Sequence, residues 1–195
     1  MWLINTHNGV KEQGIKPVNI EDYPAIKNHL NKYFPELEKR QDKGDTPYNL
    51  RNCAYMEDFF KQKIMYPNMT KFLPFYLDNM SFFQNDKSFM IVGKNLAYLT
   101  AFLNSSLFKF CFLDNFPELQ GGTRELRKIF FDKIPVLQVS SDVNKLFERY
   151  VSDIQTLRNI NSDTNSFEFE IDNLLFDLYC LTPEERKTVG FIKIQ

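Results

Sequence analysis

The sequence predicts an α+β fold: a small twisted sheet, mixed or antiparallel, with flanking helices, followed by an antiparallel helical pair at the C-terminus. Three observations carry that prediction. Apolar residues recur at steps of three and four near the N-terminus and again after Ser140, the signature of amphipathic helices. Between these stretches, from Lys61, they fall into short aromatic and β-branched runs bounded by Pro, Asn, Asp and Gly, which is how strands read. With 43% hydrophobic residues and 20 phenylalanines among 195, the chain can also bury a core, which a disordered chain cannot.

The elements follow in order. Residues 5–18 hold Gly9, Gly14 and Pro17 without apolar periodicity, so residues 1–20 read as a linker or extended lead-in. Asp22 is placed to cap a helix whose apolar positions Ile26, Leu30, Tyr33, Phe34 and Leu37 share a face, with Pro35 bending or interrupting it. A polar run over 38–45 ends that element, and Thr46-Pro47 opens a short segment carrying Tyr48 and Arg51. Strands are expected at Lys63-Ile64-Met65-Tyr66-Pro67, Leu73-Pro74-Phe75-Tyr76-Leu77, Ser81-Phe82-Phe83 and Ser88-Phe89-Met90-Ile91-Val92-Gly93. Asn95 is placed to cap a helix over 96–103, a second apolar stretch covers 107–113, and 123–131 reads as a short helix or a helix merging into a strand. Lys133-Ile134-Pro135 closes a domain assigned to 21–138.

The remaining residues, 139–195, are assigned to a helical hairpin and a short last helix. Val143, Leu146, Phe147, Tyr150, Val151, Ile154 and Leu157 trace one helical face, and Phe167, Ile171, Leu174, Leu175 and Leu178 trace another. Thr182-Pro183-Glu184-Glu185 places a cap, a first-turn proline and a third-position glutamate, which opens a final helix with a capping box.

Composition excludes several classes. No apolar run reaches the roughly 20 residues needed to span a bilayer; the longest candidate, 102–113, is interrupted by Asn104, Ser105, Ser106 and Lys109. Met1-Trp2-Leu3-Ile4-Asn5 lacks the charged region, long apolar core and small-residue cleavage site of a secretory signal, so a soluble, cytoplasmic protein with no membrane partner is expected. Cys53, Cys111 and Cys180 are odd in number and widely spaced, which fits reduced, mostly buried thiols better than disulfides or a zinc site. His7 and His29 are the only histidines, so no metal ligand set is expected in this chain.

Recognisable catalytic motifs are missing too: the sequence holds no G-x-G-x-x-G, P-loop, G-x-S-x-G or H-E-x-x-H. Glu57-Asp58 point to different sides of a helix, and Phe116-Pro117-Glu118 superficially resembles the opening of a metal-dependent nuclease without the acid and lysine that should follow. No catalytic residue is therefore assigned.

Charge is distributed unevenly. The net value is −1, but Lys39 to Lys133 contains 14 basic against 10 acidic residues, whereas Ser140 to Gly190 contains 5 against 10. A basic middle thus precedes an acidic tail. Within that middle, two polar loops leave aromatic segments: one with Asn68, Thr70 and Lys71, the other with Gln120, Gly121, Gly122, Thr123 and Arg124. Adjacent glycines let a backbone approach a partner closely, and amide, hydroxyl and guanidinium groups can read nucleic-acid edges. Rigid elements that present polar loops bind proteins as well as DNA, so a protein-interaction module docking through the C-terminal helices is the alternative.

At these residues the chain resembles a known family. Asp22-Tyr23-Pro24-Ala25-Ile26 with His29-Leu30, Leu37-Glu38-Lys39-Arg40 with Asp42-Lys43-Gly44, Lys63-Ile64-Met65-Tyr66-Pro67-Asn68, Leu103-Asn104-Ser105, Gln120-Gly121-Gly122 and Lys133-Ile134-Pro135 occur in the order seen in TaqI-like C-terminal specificity domains. The tail, Glu170-Ile171-Asp172-Asn173-Leu174 and 178–185, is similar to the ending of such chains. Those domains are the target-recognition parts of adenine-specific DNA methyltransferases and of type IIG restriction enzymes. The resemblance implies a non-catalytic DNA-recognition domain with double-stranded DNA and covalently linked methyltransferase or nuclease domains as partners. It implies no cofactor in this chain; S-adenosylmethionine and Mg²⁺ belong to the catalytic domains. The residues expected to meet DNA are Lys63, Asn68, Thr70, Lys71, Gln120, Gly121, Gly122, Thr123 and Arg124.

Overall fold

The computed structural model describes residues 3–191, so the outermost residues of the predicted lead-in and tail lie outside it. The chain forms two compact units that divide between Phe59 and Phe60.

The first unit is held by polar contacts more than by a large apolar core. Ile20 and Phe59 are its buried apolar residues, while Thr6, Asn8 and Asn49 are buried polar ones. Each has partners, as burial requires: Thr6 Oγ1 donates to Tyr48 O, Asn8 Nδ2 donates to Asp45 and Asn52, and Asn49 Nδ2 donates to Val18 O. The predicted lead-in is therefore fastened to the 45–52 segment rather than free. The helix expected to be bent or interrupted at Pro35 is two helices, α1 (Pro24–Asn31) and α2 (Phe34–Lys39). Asp22 belongs to a preceding turn, Ile20–Asp22, and Pro35 in the first turn of α2 removes an N–H that a continuous helix needs.

The second unit holds the sheet. Strands β1 (Lys63–Pro67), β3 (Tyr76–Asp78) and β4 (Ser88–Ile91) are antiparallel in the order β3-β1-β4, and β2 (Met69–Thr70) pairs with β5 (Arg124–Glu125) in a separate two-stranded ribbon. Ile64 lies between Leu77 and Ile91, which makes one apolar row across the three strands. The alternation of side chains puts Ile64 and Tyr66 on the same face.

Three expected strands are shorter or missing, the last of them because β4 ends at Ile91 rather than Gly93. Residues 73–75 precede β3 without pairing, because Pro74 offers no N–H and the Asn104 side-chain amide occupies Phe75: its Oδ1 accepts Phe75 N–H at 3.2 Å and its Nδ2 donates to Phe75 O at 2.8 Å. The 81–83 run is a loop instead, with Ser81 at φ 58° and the N–H groups of Met80 and Phe82 donating to the Asp78 carboxylate.

Helix α3 (Leu96–Leu103) is buried at every residue but Leu99, as suits a helix that is apolar all round. Asn95 sits at its start in a left-handed conformation, and its side chain donates to Val139 O instead of capping. Ser105, not the expected apolar residues, opens α4 (Ser106–Asn115) by accepting Phe108 N–H. Among the described residues no single helix is long and apolar enough to cross a membrane; α3 and α4 bend by 66° at their break.

The short helix α5 (Lys128–Phe131) precedes α6 (Ser141–Asn159), α7 (Asn165–Leu178) and α8 (Pro183–Val189), and the predicted Thr182–Glu185 capping box is present. Phe147 and Val151 from α6 and Ile171, Leu175 and Phe176 from α7 join the same buried cluster as Ile64, Leu77 and Phe102. The helical pair therefore completes the core of the sheet unit, and the boundary expected at 138 and 139 falls inside that unit. An apolar helical face needs something to bury against, and α3 supplies it.

Candidate nucleic-acid interface

Asn68 is the junction from which the site is built. Its N–H donates to Lys87 O at 3.0 Å and its carbonyl accepts Leu126 N–H at 2.8 Å, which ties the end of β1 to both the β4 approach and the end of β5. The ribbon then pairs Met69 with Glu125 and Thr70 with Arg124. Eight of the nine residues singled out in the sequence are brought into this one region.

Past Thr70 the chain turns. Thr70 Oγ1 accepts Phe72 N–H at 3.0 Å and donates to Phe72 O at 2.8 Å, so one hydroxyl holds the turn at both ends. Lys71 and Phe72 are left exposed. On the facing side, Leu119 N–H donates to Thr123 O at 2.6 Å and encloses the 3₁₀ turn Gln120–Gly122. Gly121 and Gly122 have φ of 70° and 80°, a region that a Cβ disfavours. A Cβ on Gly121 would meet Lys71 Nζ at 3.8 Å, which places the ammonium over the double-glycine turn. Gln120, Gly121 and Gly122 are exposed and Thr123 is half-buried.

Arg124 has a different place from the one expected. Its side chain is 11% exposed, its guanidinium donates to Phe116 O and lies 3.3 Å from Glu118, and it stands 5.6 Å from the centroid of the Phe112 ring. It braces the loop from beneath. A guanidinium so engaged is a poor reader of bases, and Arg124 supports the loop instead.

Lys63 is corrected outright. It lies opposite Asp78 in the sheet, fully buried in an ion pair with that carboxylate, which also accepts N–H groups from Met80 and Phe82. A lysine committed to a buried carboxylate cannot neutralise a phosphate. Lysines are so seldom buried that a lysine in a sequence is expected at the surface.

Around the ribbon, Arg127 pairs with Glu125 at 2.8 Å and Lys128 with Asp132 at 2.7 Å. Lys109, which in the sequence interrupts an apolar run, lies on α4. It sits 5.7 Å from the Phe112 centroid, and burial followed by the nearby Arg124 charge holds its ammonium below the ordinary lysine range. The spacing of Lys109 and Phe112 on a helix was the available signal, but nothing in the sequence linked either to Arg124. The cysteines are free, with Cys53 and Cys111 half-buried and Cys180 exposed, so the expectation of mostly buried thiols is not met. Among the described residues no group of three or more His, Cys, Asp or Glu could hold a metal ion.

A ribbon that gathers polar side chains and Lys71, which has no ion pair among the described residues, around a double-glycine turn suits contact with a polyanion, and one comparison decides the family. The TaqI-like C-terminal specificity domain matches residues 13–136. The chain belongs to that family. As a TaqI-like specificity domain it is a DNA target-recognition part of restriction-modification enzymes. The match takes in both sheets and the whole ribbon, and it ends before α6, so the tail resemblance over 170–185 lies beyond it. Comparison with curated proteins gave no match.

Proposed function

We propose that this TaqI-like domain reads DNA sequence with the β2–β5 ribbon on behalf of an adenine-specific methyltransferase of the type IIG class, and that methylation and cleavage belong to covalently linked catalytic domains. The observation that carries the reading is the convergence of Asn68, Thr70 and Lys71 with Gln120–Gly122 and Thr123 on one ribbon. Lys71 contacts a phosphate, which sets position without reading sequence. Gln120 and Thr123 face base edges; an amide and a hydroxyl can each donate and accept there, and the two glycines let the backbone come close. Arg124 shapes the loop that holds them.

In this reading the domain itself binds no cofactor and works in the cytoplasm. S-adenosylmethionine and Mg²⁺ serve the linked domains, where they supply the methyl group and the charge stabilisation for strand cleavage. The acidic C-terminal helices stay away from DNA. They bury Phe147, Val151, Ile171, Leu175 and Phe176 in the core, so most of their apolar face is already used, with Leu146 and Phe169 left exposed.

Selection from a random duplex pool tests the proposal. The full chain is expected to enrich a short shared sequence, and Gln120→Ala is expected to relax one position of it. A bidentate base contact discriminates by about 1–3 kcal/mol, enough to see in enrichment. Enrichment of no sequence by the full chain, with or without the linked enzyme, would overturn it.

A further inference from the structure

Lys109 and Arg124 come from different elements, α4 and β5, yet both cations lie near one ring: Lys109 Nζ is 5.7 Å and Arg124 Cζ 5.6 Å from the centroid of Phe112. Phe112 is itself 1% exposed, so the ring is a fixed point of the core. Arg124 has Glu118 at 3.3 Å, but Lys109 has no carboxylate partner among the described residues. A lysine on a flexible four-carbon stem ordinarily turns its head into water and away from a like charge. This one is half-buried beside an arginine.

Two cations disposed about one ring, of which Lys109 has no carboxylate partner among the described residues, favour an anion beside that lysine. Thr70, opposite Arg124, connects directly to Lys71, so the cation pair lies along the same ribbon that carries the readable side chains. We propose that Lys109, supported by the Arg124 guanidinium, binds a DNA backbone phosphate and fixes the register of the duplex against the β2–β5 ribbon. The inference rests on the DNA-recognition reading above. The ammonium provides three donors for phosphate oxygens, and Arg124, already held by Phe116 O and Glu118, adds field without moving. Phosphate contacts of this kind set orientation and carry no sequence information.

The test measures binding of the full chain to a random-sequence duplex pool by fluorescence anisotropy across a salt series. Each neutralised phosphate contributes about 0.9 to the slope of log affinity against log salt, so Lys109→Gln should weaken binding to all sequences alike and lower the slope by about 1. Lys109→Met keeps the apolar stem over Phe112 and should lose affinity as Gln does, whereas Lys109→Arg should retain both affinity and slope. A packing role predicts the reverse: Met retains affinity and Gln does not. An unchanged slope in Lys109→Gln or Lys109→Met, in a chain whose wild-type form binds with a clear salt dependence, overturns the phosphate site alone. Salt-independent binding, or none, by the wild-type chain overturns the DNA reading itself and the inference with it.

Discussion

Thr70 and Arg124 face each other across a two-residue antiparallel pairing that joins segments far apart in the chain. On one side of that pairing the Thr70 hydroxyl fixes the turn that exposes Lys71 and Phe72. On the other, the Arg124 guanidinium holds Phe116 O and Glu118 beneath the double-glycine loop. Exposed side chains and the partly buried groups that hold their loops therefore meet at one short pairing.

Arg124→Ala should destabilise the fold. It removes a charge-assisted hydrogen bond to a backbone carbonyl from a side chain only 11% exposed, which costs about 1.5–3 kcal/mol. Arg124→Lys keeps the charge but loses the fork and should recover little of it. Urea denaturation of the two variants checks this, and wild-type stability in Arg124→Ala would return the residue to the exposed face.

Lys63 and Asp78 should be inseparable. Lys63→Met leaves a buried carboxylate without its cation and should cost about 3–5 kcal/mol, whereas Lys63→Met combined with Asp78→Asn, which removes the charge and keeps an acceptor for the Met80 and Phe82 N–H groups, should recover part of that loss. A double-mutant cycle in denaturant measures the coupling. Milder single-variant losses, each below about 1 kcal/mol, are what an exposed pair would give.

Asp172 should make stability depend on pH in the direction opposite to an ordinary ion pair. Burial raises its carboxyl to about 6 from 3.8, against the pull of the hydrogen bonds from Ser106 N–H and Oγ, with Glu168 adding a smaller upward push. The folded state therefore holds this proton more tightly than the unfolded state. The contribution is fully present below pH 3.8 and fades as pH rises through about 6, at most about 3 kcal/mol in all. Asp172→Asn keeps an acceptor for Ser106 N–H and should gain on wild type as pH climbs from 5 to about 8. Thermal unfolding of both proteins over that range decides it; parallel curves would contradict the assignment.

Gly121→Ala and Gly122→Ala should each cost about 1 kcal/mol through φ alone, since both residues lie in the left-handed region and no heavy atom closer than 3.8 Å blocks a Cβ at Gly121. Gly121→Asn should be milder, because asparagine tolerates that conformation. Thermal midpoints of the three variants rank the effect, and an alanine as stable as glycine would mean the loop relaxes freely.

The parts of the fold legible in the sequence are those with a period long enough to show. Helices α6 and α7 and the Thr182 cap stood out because apolar residues recurred over several turns, and β1 because an aromatic run ended at Pro67. The ribbon did not stand out, because strands of two residues have no period and their register is set by tertiary contacts at Asn68. The site residues were legible as polar loops with glycines. Their roles were not: Lys63 and Arg124 carry the residue types of DNA contacts, and only their partners, Asp78, Phe116 and Glu118, reveal support. Lys109 was hidden for the converse reason, since its neighbours in sequence are phenylalanines and its significant neighbour, Arg124, is on another element.

Hydrogen exchange of the full chain with and without a random duplex pool tests the central claim most directly, because it reads the ribbon itself. Binding should slow exchange in residues 68–72 and 119–126 and leave α6 and α7 unchanged. Slowing confined to α6 and α7, or spread evenly with none in the ribbon, would contradict the account.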